Sequence, residues 1–135
     1  MLNTALDKNA AQFFRDQLRE ARESAIRDAE AFDGVIFAIE NLGRFLQPTA
    51  KGLGNLKHCI VDIAHRSPLS FAPEIQIRTV CTPFETLFDM VRDARNDAMH
   101  QGAHARHLTS HAIAMAIVLE DALATFMVNR RCLIL

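Results

Sequence analysis

Apolar residues recur every three or four positions along most of the chain, with charged residues between them, which is the pattern of helices that bury one face. In the first half, this pattern predicts helices over about residues 5–31 and 35–46, and a shorter third helix from about residue 53 that Ser67-Pro68 ends. Asp33-Gly34 separates the first two, and Gln47-Pro48 with the following glycines separates the last two. The expected buried stripes are Phe14, Leu18, Ala21 and Ala25; then Val35, Ile39, Leu42 and Leu46; then Leu53, Leu56, Ile60 and Ile63.

The second half of the chain predicts two longer helices after an irregular connection over residues 67–81. That connection holds two prolines and a strand-like alternation, and an extra helical turn is the other interpretation of it. Thr82-Pro83-Phe84-Glu85 is a helix start signal, and Gly102 is the expected stop of the helix that follows. The last helix covers about residues 104–130. The expected stripes are Phe84, Leu87, Phe88, Val91 and Ala98; then Leu108, Ala112, Met115, Leu119, Leu123 and Phe126.

Helices alone can bury all of these stripes, so no strand pair is needed. The sequence therefore predicts an all-α fold, an up-and-down bundle of four to five helices in a single domain over residues 1–135. A chain of 135 residues with 50% hydrophobic residues is large enough to bury such a core.

The formal net charge of -1 excludes a global positive field, so nucleic acid would have to be bound by a local cationic patch. Three widely spaced cysteines indicate reduced thiols and a cytoplasmic protein. No stretch approaches the roughly 20 apolar residues of a membrane span, so we expect no membrane partner. Glycine-rich phosphate loops and cysteine pairs at zinc spacing are absent from the sequence, and we expect no cofactor.

Arg95 is the anomaly of the fourth predicted helix, because the helical period places it in the apolar stripe within roughly 20° of Phe84. One explanation is structural: the side chain covers the core, and its guanidinium meets water or a carboxylate such as Glu40 or Asp62. The other explanation is functional, since a guanidinium in an open groove or at a dimer seam can bind a phosphate.

Two polar residues accompany Arg95, namely Asn96 and His100, which stand four residues apart and share a helix face. Arg95 points away from His100 by about 140° on an ideal helix, so a joint site needs the long reach of the Arg side chain, a helix end that unwinds before Gly102, or a second protomer. The R-x4-H spacing has a second match, Arg106 with His111, so the spacing alone is a weak signal.

Arg95, Asn96 and His100 near the junction of the last two helices resemble the R-N-x-x-x-H signature of the HEPN superfamily of prokaryotic toxin, defence and RNA-processing ribonucleases. Residues 94–123 also resemble helical regions that precede CBS domain pairs, although no CBS pair is present in this sequence. The resemblance implies a metal-independent endoribonuclease that acts as a homodimer on RNA and leaves a 2′,3′-cyclic phosphate. It also implies a partner such as a cognate antitoxin or a CBS-type regulatory domain.

In that interpretation His100 transfers protons, Arg95 stabilises the charge on phosphorus, and Asn96 orients the imidazole or the phosphate. His104 and Arg106 extend the positive patch for RNA. A helix C-terminus favours the imidazolium form, which suits phosphate binding or acid catalysis better than a general base.

Two other functions stay open. The first is a catalytically inactive helical module for dimerisation or regulation, in which the motif is structural. The second is a metal-binding bundle that uses the row His100, His104, His107 and His111, with Glu120 or Asp121 as distant partners. Gly102 counts against the second, because it is expected to interrupt the helix that would carry the row.

Overall fold

The computed structural model describes residues 6–28, 31–50, 52–71, 84–95 and 103–127, and for residues 94–95 and 103–108 it describes the backbone alone. Six α-helices and one short 3-10 helix make up this part of the chain, which contains no strand. The elements are α1 (Lys8–Arg27), α2 (Phe32–Leu46), α3 (Gly52–Asn55), α4 (Lys57–Ala64), the 3-10 helix Pro68–Phe71, α5 (Phe84–Arg95) and α6 (Ala103–Ala124). The all-α prediction is confirmed.

Helices α1 and α2 form an antiparallel pair. Asp7 caps α1 by accepting a hydrogen bond from the backbone N–H of Ala10 at 2.8 Å. The ring of Phe14, near the start of α1, lies 5.1 Å from the ring of Phe45 near the end of α2. Farther along α1, the absence of a side chain at Gly34 brings α2 close to Ala21: an added Cβ would lie 4.0 Å from the Cβ of Ala21. The start of α1 therefore contacts the end of α2, and a later part of α1 contacts the start of α2, which makes the two helices antiparallel.

The third predicted helix is divided into α3 and α4 at Leu56. The α3 turn starts at Gly52, whose φ of 78° lies in the left-handed region that glycine adopts without strain. Leu56 is fully buried and packs against Gly43 of α2, where an added Cβ would lie 2.8 Å from the Leu56 Cδ1 atom. The sequence pattern predicted that Leu56 lies inside one continuous helix. In the structure it packs on α2 and lies between the end of α3 and the start of α4.

Helix α6 is the central element of the bundle and packs against α1, α2, α4 and α5. The segment after α4 is fixed to α6 by two polar contacts: the Ser67 hydroxyl donates to Asp121 at 2.6 Å, and Arg66 Nε donates to the Thr125 hydroxyl at 2.9 Å. Arg66 also lies over the ring of Phe126, 4.0 Å from its centre. These contacts hold the connection after α4 against the end of α6.

The predicted stripes form the core, with three exceptions to full burial. Among the predicted core positions whose side chains are described, Ala21, Leu46 and Phe126 are partly buried, and the others are buried. Ala98 and the side chain of Leu108 lie outside the described part.

Several predicted boundaries differ from the observed ones. Helix α1 is shorter than the predicted 5–31, because Asp28 is extended at its C-cap. Within the predicted connection 67–81, Pro68–Phe71 is a 3-10 turn, and 72–81 lies outside the described residues together with Thr82 and Pro83. None of the described helices is both long enough and apolar enough to cross a membrane.

Candidate functional site

The predicted site lies where the chain passes from α5 to α6. Arg95 is the last residue of α5, and its backbone stands eleven residues, about three turns, after the buried Phe84. Phe84, Leu87, Phe88 and Val91 anchor α5 to the core, which positions the backbone of Arg95 at the end of a well-packed helix. The direction of the Arg95 side chain is outside the described part.

The remaining predicted residues follow within eleven positions of Arg95. Asn96 and His100 lie outside the described residues. His104 and Arg106 lie in the first turn of α6, which begins at Ala103, one residue after Gly102. The structure describes the backbone of His104 and Arg106 but not their side chains, so the contacts of the predicted site residues lie outside the described part.

The outer surface of α5 before Arg95 carries an ion-pair network with α4. Lys57 Nζ lies 2.9 Å from Asp89 Oδ1 and 3.3 Å from Glu85 Oε2. Arg92 bridges the carboxylates of Asp89 and Asp93, at 3.3 and 3.1 Å. The hydrogen bond to Asp89 and, to a lesser degree, the contact with Glu85 raise the pKa of Lys57. Both of these cations are therefore occupied by carboxylates, and a phosphate would have to be bound by residues nearer the junction.

The two carboxylates that the sequence offered as partners for Arg95 are very different. Asp62 is on the surface of α4, with 45% of its side chain exposed, and lies 3.5 Å from His58 Nε2. Glu40 is buried in α2, with 8% of its side chain exposed, and Arg44 Nη2 is 3.9 Å from it. A buried carboxylate is stabilised by nearby cations or hydrogen-bond donors of the protein, so Glu40 depends on such neighbours more than Asp62 does.

The part of the chain that the structure describes contains no group of three His, Cys, Asp or Glu residues able to hold a metal ion. The distant acids proposed for the His row have other roles: Glu120 binds Arg22, and Asp121 accepts a hydrogen bond from Ser67. His111 is half-buried in α6, while His100 and the side chains of His104 and His107 are outside the described part.

Sequence reasoning missed a cluster of arginines around Glu120 at the contact of α1 and α6. Arg22 forms a bidentate pair with this carboxylate, with Nε 2.7 Å from Oε2 and Nη2 2.9 Å from Oε1. Arg19 Nε lies 3.5 Å from Oε1. The hydrogen bonds that Arg22 donates to Glu120 raise the pKa of Arg22. The available signal was the spacing of Arg15, Arg19 and Arg22, which places three arginines beside the apolar stripe of α1.

Comparison of the chain with protein-family models, with curated proteins and with solved structures found no match.

Proposed function

We propose that this chain is a cytoplasmic, metal-independent endoribonuclease of the toxin or defence type, whose site combines Arg95, Asn96 and His100 from two copies of the chain. The observation that supports the proposal is the position of the motif. Arg95 ends a helix that is anchored in an all-helical core, and the rest of the motif precedes α6. That position matches the arrangement implied by the HEPN resemblance.

The proposed reaction needs no group beyond these side chains and the RNA itself. The ribose 2′-oxygen attacks phosphorus while the bond from phosphorus to the 5′-oxygen breaks, and the 2′-hydroxyl proton leaves as the 5′-oxygen gains one. His100 transfers protons in this step, because an imidazole changes charge near neutral pH. Arg95 stabilises the negative charge that accumulates on the phosphate oxygens, and the Asn96 amide orients the imidazole or the phosphate.

A second protomer completes the site, as the resemblance to HEPN ribonucleases implies. In a homodimer with two-fold symmetry, Arg95 of one copy can approach His100 of the other. His104 and Arg106, in the first turn of α6, would add cationic contacts to the RNA on either side of the cut. A cognate antitoxin or a CBS-type regulatory partner would control such an activity.

Cleavage of single-stranded RNA in EDTA tests the proposal. We expect the full chain to cut, and Arg95→Ala or His100→Ala to lose at least about a hundredfold in rate, the usual contribution of acid-base or charge-stabilising groups. Arg27→Ala and His58→Ala are matched controls, since both residues are exposed and belong to other helices. Equal cutting by all four variants would assign the activity to a contaminating nuclease.

A catalytically inactive module for dimerisation or regulation is the second candidate. It can be tested at Glu40, a buried carboxylate that also lies 3.9 Å from Arg44 Nη2. In that case the Arg95 guanidinium is a structural partner of this carboxylate. A double-mutant cycle with Arg95→Met and Glu40→Leu would then give a coupling energy of about 2 kcal/mol or more in unfolding experiments. The nuclease proposal expects a coupling energy below about 0.5 kcal/mol, as for residues that do not touch.

A further inference from the structure

The side of α1 that faces away from the core carries an open cavity of about 520 Å³. The residues along it define what we call the α1 outer surface: Phe13, Asp16, Gln17, Arg19, Glu20 and Glu23. Phe14 and Leu18 of the same helix are buried. Helix α1 therefore has an apolar face against the core and a mostly charged face on the outside.

Phe13 gives the α1 outer surface an ordered aromatic group. Its side chain is 60% exposed, yet its ring packs edge-on against Phe14, with the ring centres 5.0 Å apart and the planes at 81°. Phe14 in turn contacts Phe45 of α2, which is 37% exposed. The two exposed rings therefore share a buried neighbour, so an apolar partner side chain can dock on Phe13 with little loss of ring freedom.

The charge of the α1 outer surface is acidic, with Asp16, Glu20 and Glu23 against one arginine. That arginine, Arg19, already lies 3.5 Å from the carboxylate of Glu120. Within the described ranges, no cation lies within ion-pair distance of Asp16 or Glu20, although these two acids repel each other at a spacing of four residues. A cationic partner would relieve this repulsion.

Gln17 supplies an unused acceptor on the same surface. Its Oε1 atom is buried and has no hydrogen-bond partner among the described residues, although buried amide oxygens are normally bonded. The half-buried Gln17 side chain lines the surface between Phe13 and Glu20, so its amide can turn toward an N–H donor that approaches together with an apolar group and a cation.

We propose that the α1 outer surface binds a basic amphipathic helix from another polypeptide. Apolar side chains of that helix pack on Phe13 and also reach Phe45 of α2, which contacts the same Phe14. Its Lys or Arg residues pair with Asp16 and Glu20, and a side-chain N–H donates to Gln17. Nucleic acid is disfavoured as the ligand because its phosphates would meet three carboxylates. A second copy of the chain is disfavoured as well, because a two-fold contact through this surface would oppose like charges.

This surface is separate from the proposed catalytic site. It belongs to α1, whereas Arg95 belongs to α5, which packs against α4 and α6. The inference therefore does not depend on the nuclease proposal, and either can fail while the other holds.

Peptide binding to the full chain tests the inference, measured by fluorescence anisotropy with labelled peptides at low salt. The probe is a Leu/Lys peptide of about 18 residues, five helical turns, arranged as an amphipathic helix, and the charge control is the same peptide with Glu in place of Lys. We expect the Leu/Lys peptide to bind and the Leu/Glu peptide not to bind. Glu20→Lys and Phe13→Ser should each weaken binding by about tenfold or more.

Two variants serve as matched controls. Phe71 is 62% exposed, like Phe13, but lies in the 3-10 helix, and Asp62 is an exposed acid on α4. We expect Phe71→Ser and Asp62→Lys to bind the Leu/Lys peptide within about twofold of the unmodified chain, with all variants retaining their helical circular dichroism. Four results would each overturn the inference: no binding, equal binding of both peptides, equal losses in the controls, or sedimentation showing that Phe13→Ser dissociates a dimer of the chain.

Discussion

The ion pair between Arg22 and Glu120 holds α1 against α6 and allows a quantitative prediction. Replacing Arg22 by Met removes two hydrogen bonds of 2.7 and 2.9 Å and leaves a carboxylate whose side chain is only 8% exposed. The one remaining cation within 4 Å among the described residues is Arg19, at 3.5 Å. Water can hydrate an exposed carboxylate that loses its partner, whereas Glu120, with 8% of its side chain exposed, has little access to water.

Breaking a fully buried ion pair by removing one partner costs about 3–5 kcal/mol. Arg22 is 22% exposed and Arg19 stays nearby, so both water and the second arginine offset part of the loss. We therefore expect Arg22→Met to lower the free energy of unfolding by about 2–3 kcal/mol, a large share of the roughly 5–15 kcal/mol that holds a domain of this size. Replacing both residues, with Arg22→Met and Glu120→Leu, should cost less than the sum of the single changes, because no unpaired charge is then buried.

Urea unfolding followed by circular dichroism measures these differences, with the slope against urea expected to stay constant. Arg27→Met is the control, since Arg27 is an exposed residue in the last turn of the same helix and should change stability by less than about 0.5 kcal/mol. A loss for Arg22→Met no larger than that of Arg27→Met would refute the reasoning. Strictly additive costs in the double variant would refute it too.

Three further predictions concern the core and the α4–α5 contact. Gly43→Ala should destabilise the protein by about 1–3 kcal/mol in urea unfolding, because the new Cβ would lie 2.8 Å from a buried leucine; Gly34→Ala, with 4.0 Å to the nearest atom, should be neutral or stabilising. Because the pKa of Lys57 is raised, the stability that its ion pairs add is present below about pH 10.5 and is lost at higher pH. The difference in unfolding free energy between the unmodified chain and Lys57→Met should therefore shrink above pH 10.5. Burial raises the pKa of the Cys59 thiol, which slows its reaction with iodoacetamide. In a variant whose two other cysteines are replaced by serine, the folded chain should therefore react far more slowly than the chain unfolded in urea. Equal rates would contradict the burial.

Helical periodicity predicted most of the core because burial of one face determines both the spacing of apolar residues and the packing of the helices. Val35, Ile39 and Leu42 are examples, all predicted and all fully buried. The division at Leu56 was not predictable in the same way, because it depends on a close approach to Gly43, thirteen residues earlier on another helix. Local spacing contains no information about that contact.

Long-range polar partners were the least predictable feature. The sequence drew attention to Arg95 and to Glu40 or Asp62 as its partners, whereas the structure shows a part-buried arginine–carboxylate pair that joins Arg22 to Glu120, 98 positions apart. A charged residue in an apolar stripe indicates that a partner exists, but the partner is chosen by the packing of helices. For Arg95 itself, the sequence predicts a functional role, and the structure shows only that its backbone lies at the end of α5.

The end groups of the RNA fragments test the nuclease proposal most directly. A single-stranded RNA is incubated with the full chain in EDTA, and the 5′ fragment is identified by mass spectrometry. The account predicts a 2′,3′-cyclic phosphate that is absent when the nucleotide before the cut is 2′-deoxy and absent with His100→Ala. Fragments ending in a 3′-hydroxyl, or the same cyclic phosphate in unchanged yield from Arg95→Ala and His100→Ala, would contradict it.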